Sequence, residues 1–240
     1  MKIEQIYNQL DKISPFELQE KWDNSGLIVG DMNREFEYIA LGLDLDKESL
    51  DLAKENTLFI VHHPLIFSGL KQLDFSLYPA NLLEIMVKKS LSLIAMHTNF
   101  DKTHLNGYVF EKVLGFKKEF QDEFICKTTG SWSKDELLNL LKTKLNLETL
   151  RVVSPKNRIN SIALTTGAGA SLMDKVDADC FLTGDIKYHD AMKAMSQNLM
   201  MVDIGHYESE QFFVDVMMSE LKNLGLFGII SQSKNPFKIS

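Results

Sequence analysis

Apolar runs alternating with helix-patterned segments along 240 residues predict an α/β fold: two closely packed lobes with mostly parallel sheets. Three observations carry this. The runs Leu58–Val61, Leu91–Met96 and Leu199–Val202 are apolar throughout, as strands buried on both faces are. Helical patterns separate them, as crossovers between parallel strands require. No Pro/Gly/Ser-rich linker interrupts the chain, so the lobes pack rather than swing on a tether. The lobes are placed at 1–115 and 116–240, with C-terminal elements as a candidate completion of the first.

Taken in order, Tyr38–Leu43 reads as a strand and Lys47–Glu55 as a helix. Leu58–Val61 is a strand, closed by Pro64, which cannot continue a ladder. Tyr78–Lys88 is helical, and Leu91–Met96 is a strand. Asn106–Leu114 is a helix with an apolar stripe at Val109, Phe110, Val113 and Leu114. Lys117–Ser133 carries turn signals and strand-like pieces. Asp135–Lys144 is a helix with Ser133 placed to cap it. Leu150–Val153, Ser161–Leu164, Asp179–Leu182 and Leu199–Val202 read as strands, with helices near Ala170–Lys175 and Ile186–Ser196. The last helix runs about Tyr207–Leu224. Phe213, Met217, Leu221 and Leu224 fall at helical spacing, and Gly225 stops it.

Composition excludes several classes. The net charge of −7 gives no electrostatic footprint for duplex nucleic acid. No apolar stretch reaches the roughly 18 residues needed to span a bilayer. The N-terminal segment lacks a basic region followed by an apolar one, so no secretory signal is read. Cys126 and Cys180 fit no disulfide or metal spacing, and Cys180 lies in an apolar run as a buried thiol would. The expected compartment is the cytoplasm.

The chemistry gathers at strand ends, where α/β sheets build their sites. Leu58–Val61 runs into His62-His63-Pro64. If the extended geometry persists, the two imidazoles diverge and suit two metals better than one. Leu91–Met96 runs into His97-Thr98-Asn99-Phe100-Asp101, where Asp101 is either a ligand or the N-cap of the next helix. His104 reads as surface or as a neighbour of the site. The strand at Met200–Val202 leads to Gly205, His206 and Glu210; spacing i, i+4 sets His206 and Glu210 on one helix face and turns Glu208 elsewhere. Acids at a helix start are also favoured by its dipole, so Glu208 and Glu210 alone prove little. The conjunction of three strand ends is stronger than any one of them. Imidazole and carboxylate suit Zn, Fe or Mn, and a bridging carboxylate such as Glu210 holds two cations close.

Two further turns flank a strand. Thr165–Ser171 is glycine-rich, and its amides could receive phosphate, although no Walker A signature follows. Asp185 and His189 are again i, i+4, and read as an acid/base pair, a supporting pair or a capped helix start.

Five stretches together resemble the GTP cyclohydrolase I type 2 homologue family, the Nif-three-like or YbgI-like dinuclear metal proteins. They are Trp22–Leu27, His62–Phe67, His97–Asp101, Thr183–Asp190 and Gly205–Glu210, in the family's order and across nearly the whole chain. The resemblance implies two α/β lobes with the metal site between them, and hexameric rings. It implies metal ligands at His62, His63, Asp101, His206 and Glu210. One metal then takes His62 and Asp101, the second takes His63 and His206, and Glu210 bridges. It further implies hydrolysis of GTP to dihydroneopterin triphosphate and formate, with His97, Asp185 and His189 as proton-shuttle candidates. The turn Thr166-Gly167-Ala168-Gly169 is less glycine-dense than the family's, and Asp185 stands where relatives often carry Glu. A metal-dependent phosphatase or phosphodiesterase, and a non-enzymatic metal-binding assembly, are the alternative functions.

Overall fold

The apolar runs become the inner strands of two sheets in the computed structural model, which describes residues 1–231 and 234–238. The chain divides into two compact units, Met1–Phe100 with Phe213–Ser240, and Asp101–Phe212. Asp101 opens the second unit, and Phe213–Ser240 counts with the first.

In the first unit, strands β1 (Gly26–Val29), β2 (Tyr38–Gly42), β3 (Thr57–Val61) and β4 (Ser92–Ala95) form a sheet ordered β1-β4-β3-β2. The short strand Ile229–Ile230 adds to the β2 edge. β2, β3 and β4 run parallel, and β1 closes the other edge antiparallel. β3 and β4 are buried along their whole length, which is why they read as unbroken apolar runs. Phe59, Val61, Leu93 and Ala95 pack with Leu82, Leu83 and Met86 of the helix Ala80–Lys88 and with Leu50 of the helix Lys47–Leu52. The helix Ile3–Ile13 buries Ile3, Ile6 and Leu10, one face at helical spacing.

In the second unit, β5 (Phe120–Asp122), β6 (Ile125–Ser133), β7 (Arg151–Val153), β8 (Arg158–Leu164), β9 (Cys180–Thr183) and β10 (Met200–Asp203) form a sheet ordered β5-β6-β8-β9-β10-β7. β8, β9 and β10 are parallel, and antiparallel strands flank them. Of the nine strand pairings among the described residues, five are parallel. Ser133 caps the helix Lys134–Leu145, accepting from the Glu136 amide, while the Glu136 carboxylate reaches back to the Ser133 amide.

Two of the predicted helices are organised differently. Helical structure begins at Thr98 rather than Asn106 and continues through Thr98–Phe100, Asp101–Leu105, Asn106–Tyr108 and Val109–Val113. Two of these stretches are π-helical, with i→i+5 spacing that blurs the 3.6-residue pattern. The last helix is two, His206–Glu210 and Phe213–Asn223, because the chain returns to the first unit between them. Gly225 is the left-handed stop, with φ +73°. Among the described residues, no helix is long and apolar enough to cross a membrane.

Candidate metal centre

In the first unit, β3 ends at Val61, and the amides of His62 and His63 both turn to the carbonyl of Leu43. The extended geometry therefore does not persist, and the imidazoles do not diverge: their centroids lie 4.9 Å apart. His97, just past the end of β4, joins them at 5.1 Å from His62 and 5.5 Å from His63. One ligand atom from each of the three lies within 4.8 Å of the others.

The second ring nitrogen orders this cluster. Nδ1 of His62 donates to the Met96 carbonyl at 2.8 Å. Nδ1 of His63 donates to Asp44 Oδ1 at 2.8 Å, and Nδ1 of His97 to Asp23 Oδ1 at 2.7 Å. Carbonyl and carboxylate oxygens only accept, so Nδ1 carries the hydrogen in each ring and Nε2 is the basic nitrogen.

Asp23 also accepts from the amide of Thr98, its hydroxyl, and the amide of Asn24. Burial opposes its ionisation, but the hydrogen bond and charge of His97, with Thr98 and the Asn24 amide, outweigh it. The carboxyl is held well below the usual carboxylate range. Asp23 thus meets the first amide of the Thr98 helix, a part the sequence offered to Asp101.

In the second unit, Asp101 is the first residue of a π-helical stretch and is 8% exposed. Glu210, on the helix His206–Glu210, is 3% exposed. Carboxylate oxygens of the two lie within 4.8 Å. His206 Nε2 meets Glu210 Oε2 at 2.9 Å, so the i, i+4 spacing acts as read. Its Nδ1 donates to Asp185 Oδ2 at 2.7 Å, and repeats the arrangement of the other three rings.

The glycine-rich turn builds one wall of this arrangement. A Cβ on Gly167 would lie 1.9 Å from Glu210 Oε1, and φ there is +60°. Only glycine lets the backbone come this close. The amides of Thr166, Gly167 and Gly169 donate to Asn106 Oδ1, Ser209 Oγ and Thr183 Oγ1. These donors serve the fold, so the turn holds Glu210 rather than cradling a phosphate.

The remaining candidates lie apart from this pattern. His189 is exposed beside Tyr188, and it does not pair with Asp185, because Asp185 stands at φ +55° ahead of a helix that starts at Tyr188. His104 is half-buried, its Nδ1 2.8 Å from Thr103 Oγ1. Cys126 and Cys180 are buried thiols, and burial pushes Cys126 up to about 11. Asp44 was not read from the sequence. It lies two residues past β2, and the strand-end rule that found His62 would have found it.

Donor type decides whether a metal fits. Imidazole Nε2 atoms and buried carboxylates are borderline donors that suit Zn, Fe or Mn, and these His/Asp/Glu groups could hold such an ion.

The Duf34/NIF3 (NGG1p interacting factor 3) family model matches residues 1–236. The chain is 49% identical over 239 residues to the GTP cyclohydrolase 1 type 2 homolog of Campylobacter jejuni, covering 99% of each. It is 40% identical over 239 residues to the GTP cyclohydrolase 1 type 2 of Helicobacter pylori strain J99, covering 99% of this chain and 98% of that one. Among solved structures it resembles Staphylococcus aureus hypothetical protein SA1388, with TM-score 0.84 and 25% identity over 100% of this chain and 99% of that one. The fold also matches ybgI, described as of unknown function, with TM-score 0.85 and 18% identity over 99% and 100%.

Proposed function

We propose that this protein, which belongs to the Duf34/NIF3 family, is a metal-dependent hydrolase that opens the imidazole ring of GTP, releasing formate and dihydroneopterin triphosphate. Its cofactor in this reading is a pair of divalent metal ions, with His62, His63, Asp101, His206 and Glu210 as ligands. The observation that carries it is the shared orientation of four imidazoles, each donating Nδ1–H to an oxygen, which turns Nε2 of His62, His63 and His97 toward one another and that of His206 toward the Glu210 carboxylate. The names of the Campylobacter and Helicobacter relatives supply the substrate.

Bound divalent ions supply Lewis acidity, which acidifies water and polarises a carbonyl, imine or phosphoryl oxygen. The chain's own residues do the rest. His97, held by the Asp23 carboxylate, takes a proton at Nε2 while Asp23 stabilises the imidazolium that forms. Asp44 and Asp185 fix the rings of His63 and His206, and Gly167 leaves room for Glu210. His189 is exposed and serves in this reading only as a proton carrier to solvent. The protein works in the cytoplasm as a homohexamer in this reading, on a small-molecule substrate.

Incubation of metal-loaded protein with GTP, followed by detection of the pterin fluorophore, tests the reaction. Product that disappears in His206→Ala supports it; product no higher than in that variant contradicts it. A phosphatase or phosphodiesterase would use the same donors, and release of phosphate without pterin would identify it. An assembly without catalysis would keep its biological role in His62→Ala.

A further inference from the structure

Trp22 and Phe67 are large aromatic residues that the fold leaves 58% and 47% exposed. They are not loosely placed. Their rings stack at 5.7 Å with 24° between planes. Both stand edge-on to His97, Trp22 at 6.1 Å and 76°, Phe67 at 5.6 Å and 76°. The loops that carry them are tied together, since Asn24 Nδ2 donates to the carbonyl of Ile66 at 2.6 Å. The Trp22 loop is pinned again by Asp23, which His97, Thr98 and Ser25 all engage. A rigid, open aromatic pair therefore borders the cluster of His62, His63 and His97.

Exposed apolar area held in one geometry marks a binding surface more often than chance. Aromatic faces held rigid bind planar rings by stacking with little ordering cost. Nε2 of His97, which the reading above does not give to a metal, is basic and suits an N–H on the edge of a heteroaromatic ring. We propose that Trp22, with Phe67 behind it, is the stacking platform for a purine ring, and sets the ring's plane beside the histidine cluster. This deepens the hydrolytic reading above and rests on it for the identity of the site.

The test uses the full chain as purified. Trp132 packs on Phe116 in the second unit, so Trp132→Phe leaves Trp22 as the only tryptophan. Guanosine monophosphate should quench its fluorescence saturably, whereas ribose 5-phosphate, which lacks the ring, should not. Calorimetry on the wild type and on Trp22→Leu should show roughly ten- to hundred-fold weaker binding of guanosine monophosphate in the variant. Trp22→Tyr should recover most of it.

Absence of ring-dependent quenching at millimolar nucleotide overturns the proposal. So does shielding of Trp22 from acrylamide in the ligand-free protein, which would place another copy of the chain on this surface. The hydrolytic reading fails separately: ring-dependent binding without pterin product leaves the platform standing and removes the reaction. Pterin formation with an unchanged KM in Trp22→Leu leaves the reaction standing and removes the platform.

Discussion

Asp185 accepts a hydrogen bond from Nδ1 of His206 at 2.7 Å while its own backbone sits at φ +55°. A non-glycine residue in the left-handed region costs energy and persists where the surroundings fix it. Here the next residue is fixed on both sides: the Ile186 amide donates to Asp203 Oδ2, and Arg151 Nη2 donates to the Ile186 carbonyl. Asp185 is thus held as the partner that sets the tautomer of His206.

Asp185→Asn should therefore separate fold from metal binding. Asn tolerates the left-handed conformation, so thermal stability should be nearly unchanged. Its amide would donate to Nδ1 and favour hydrogen on Nε2, the nitrogen that should bind metal. Metal affinity should fall about 10- to 100-fold, read by competition with a chromophoric chelator. Unchanged affinity would mean that Asp185 does not orient His206.

Gly167→Ala tests the wall behind Glu210. The added Cβ meets Glu210 Oε1 at 1.9 Å, and the backbone angle is unfavourable for alanine. The variant should lose at least about 1 kcal/mol of stability in denaturant unfolding, and also metal occupancy. Stability and occupancy at wild-type levels would show that the turn can move away.

The Asp23–His97 pair predicts an acid dependence. Asp23 is held below the usual carboxylate range, so it binds a proton less readily folded than unfolded. Its contribution is then fully present above the unfolded value near pH 4 and is lost as pH falls below it. The stability gap between wild type and Asp23→Asn should narrow as pH falls below about 4. A gap that widens on acidification would reverse the sign of this argument.

The buried thiols give a control on the fold. Burial pushes Cys126 up to about 11 and Cys180 higher still. Neither should react with Ellman's reagent at pH 8 in native protein, and both should react after unfolding. Rapid titration of a native thiol would show that the sheet of the second unit opens readily.

Much of the site was legible because each strand end is marked by the end of an apolar run, and two of the three also by Pro64 or Gly205. That placed His62, His63, His97 and His206, and the helix start after Gly205 placed Glu210. The orienting carboxylates were less visible. Asp44 and Asp23 act on histidines 19 and 74 residues away, through sheet order that no local pattern states. Asp185 and His189 looked paired because i, i+4 assumes a helix, and Asp185 lies before the helix begins. The helix from Thr98 was hidden because Asp23 caps it from a distant loop and π-helical stretches break its period. β1 was missed because four residues of an antiparallel edge strand carry almost no periodic signal.

The metal content of the purified protein tests the central claim most directly. Elemental analysis of protein prepared without added metal should find about two divalent ions per chain, falling clearly in a folded His63→Ala variant. Protein that binds no metal even after reconstitution, or a His63→Ala variant with the full complement, would contradict it.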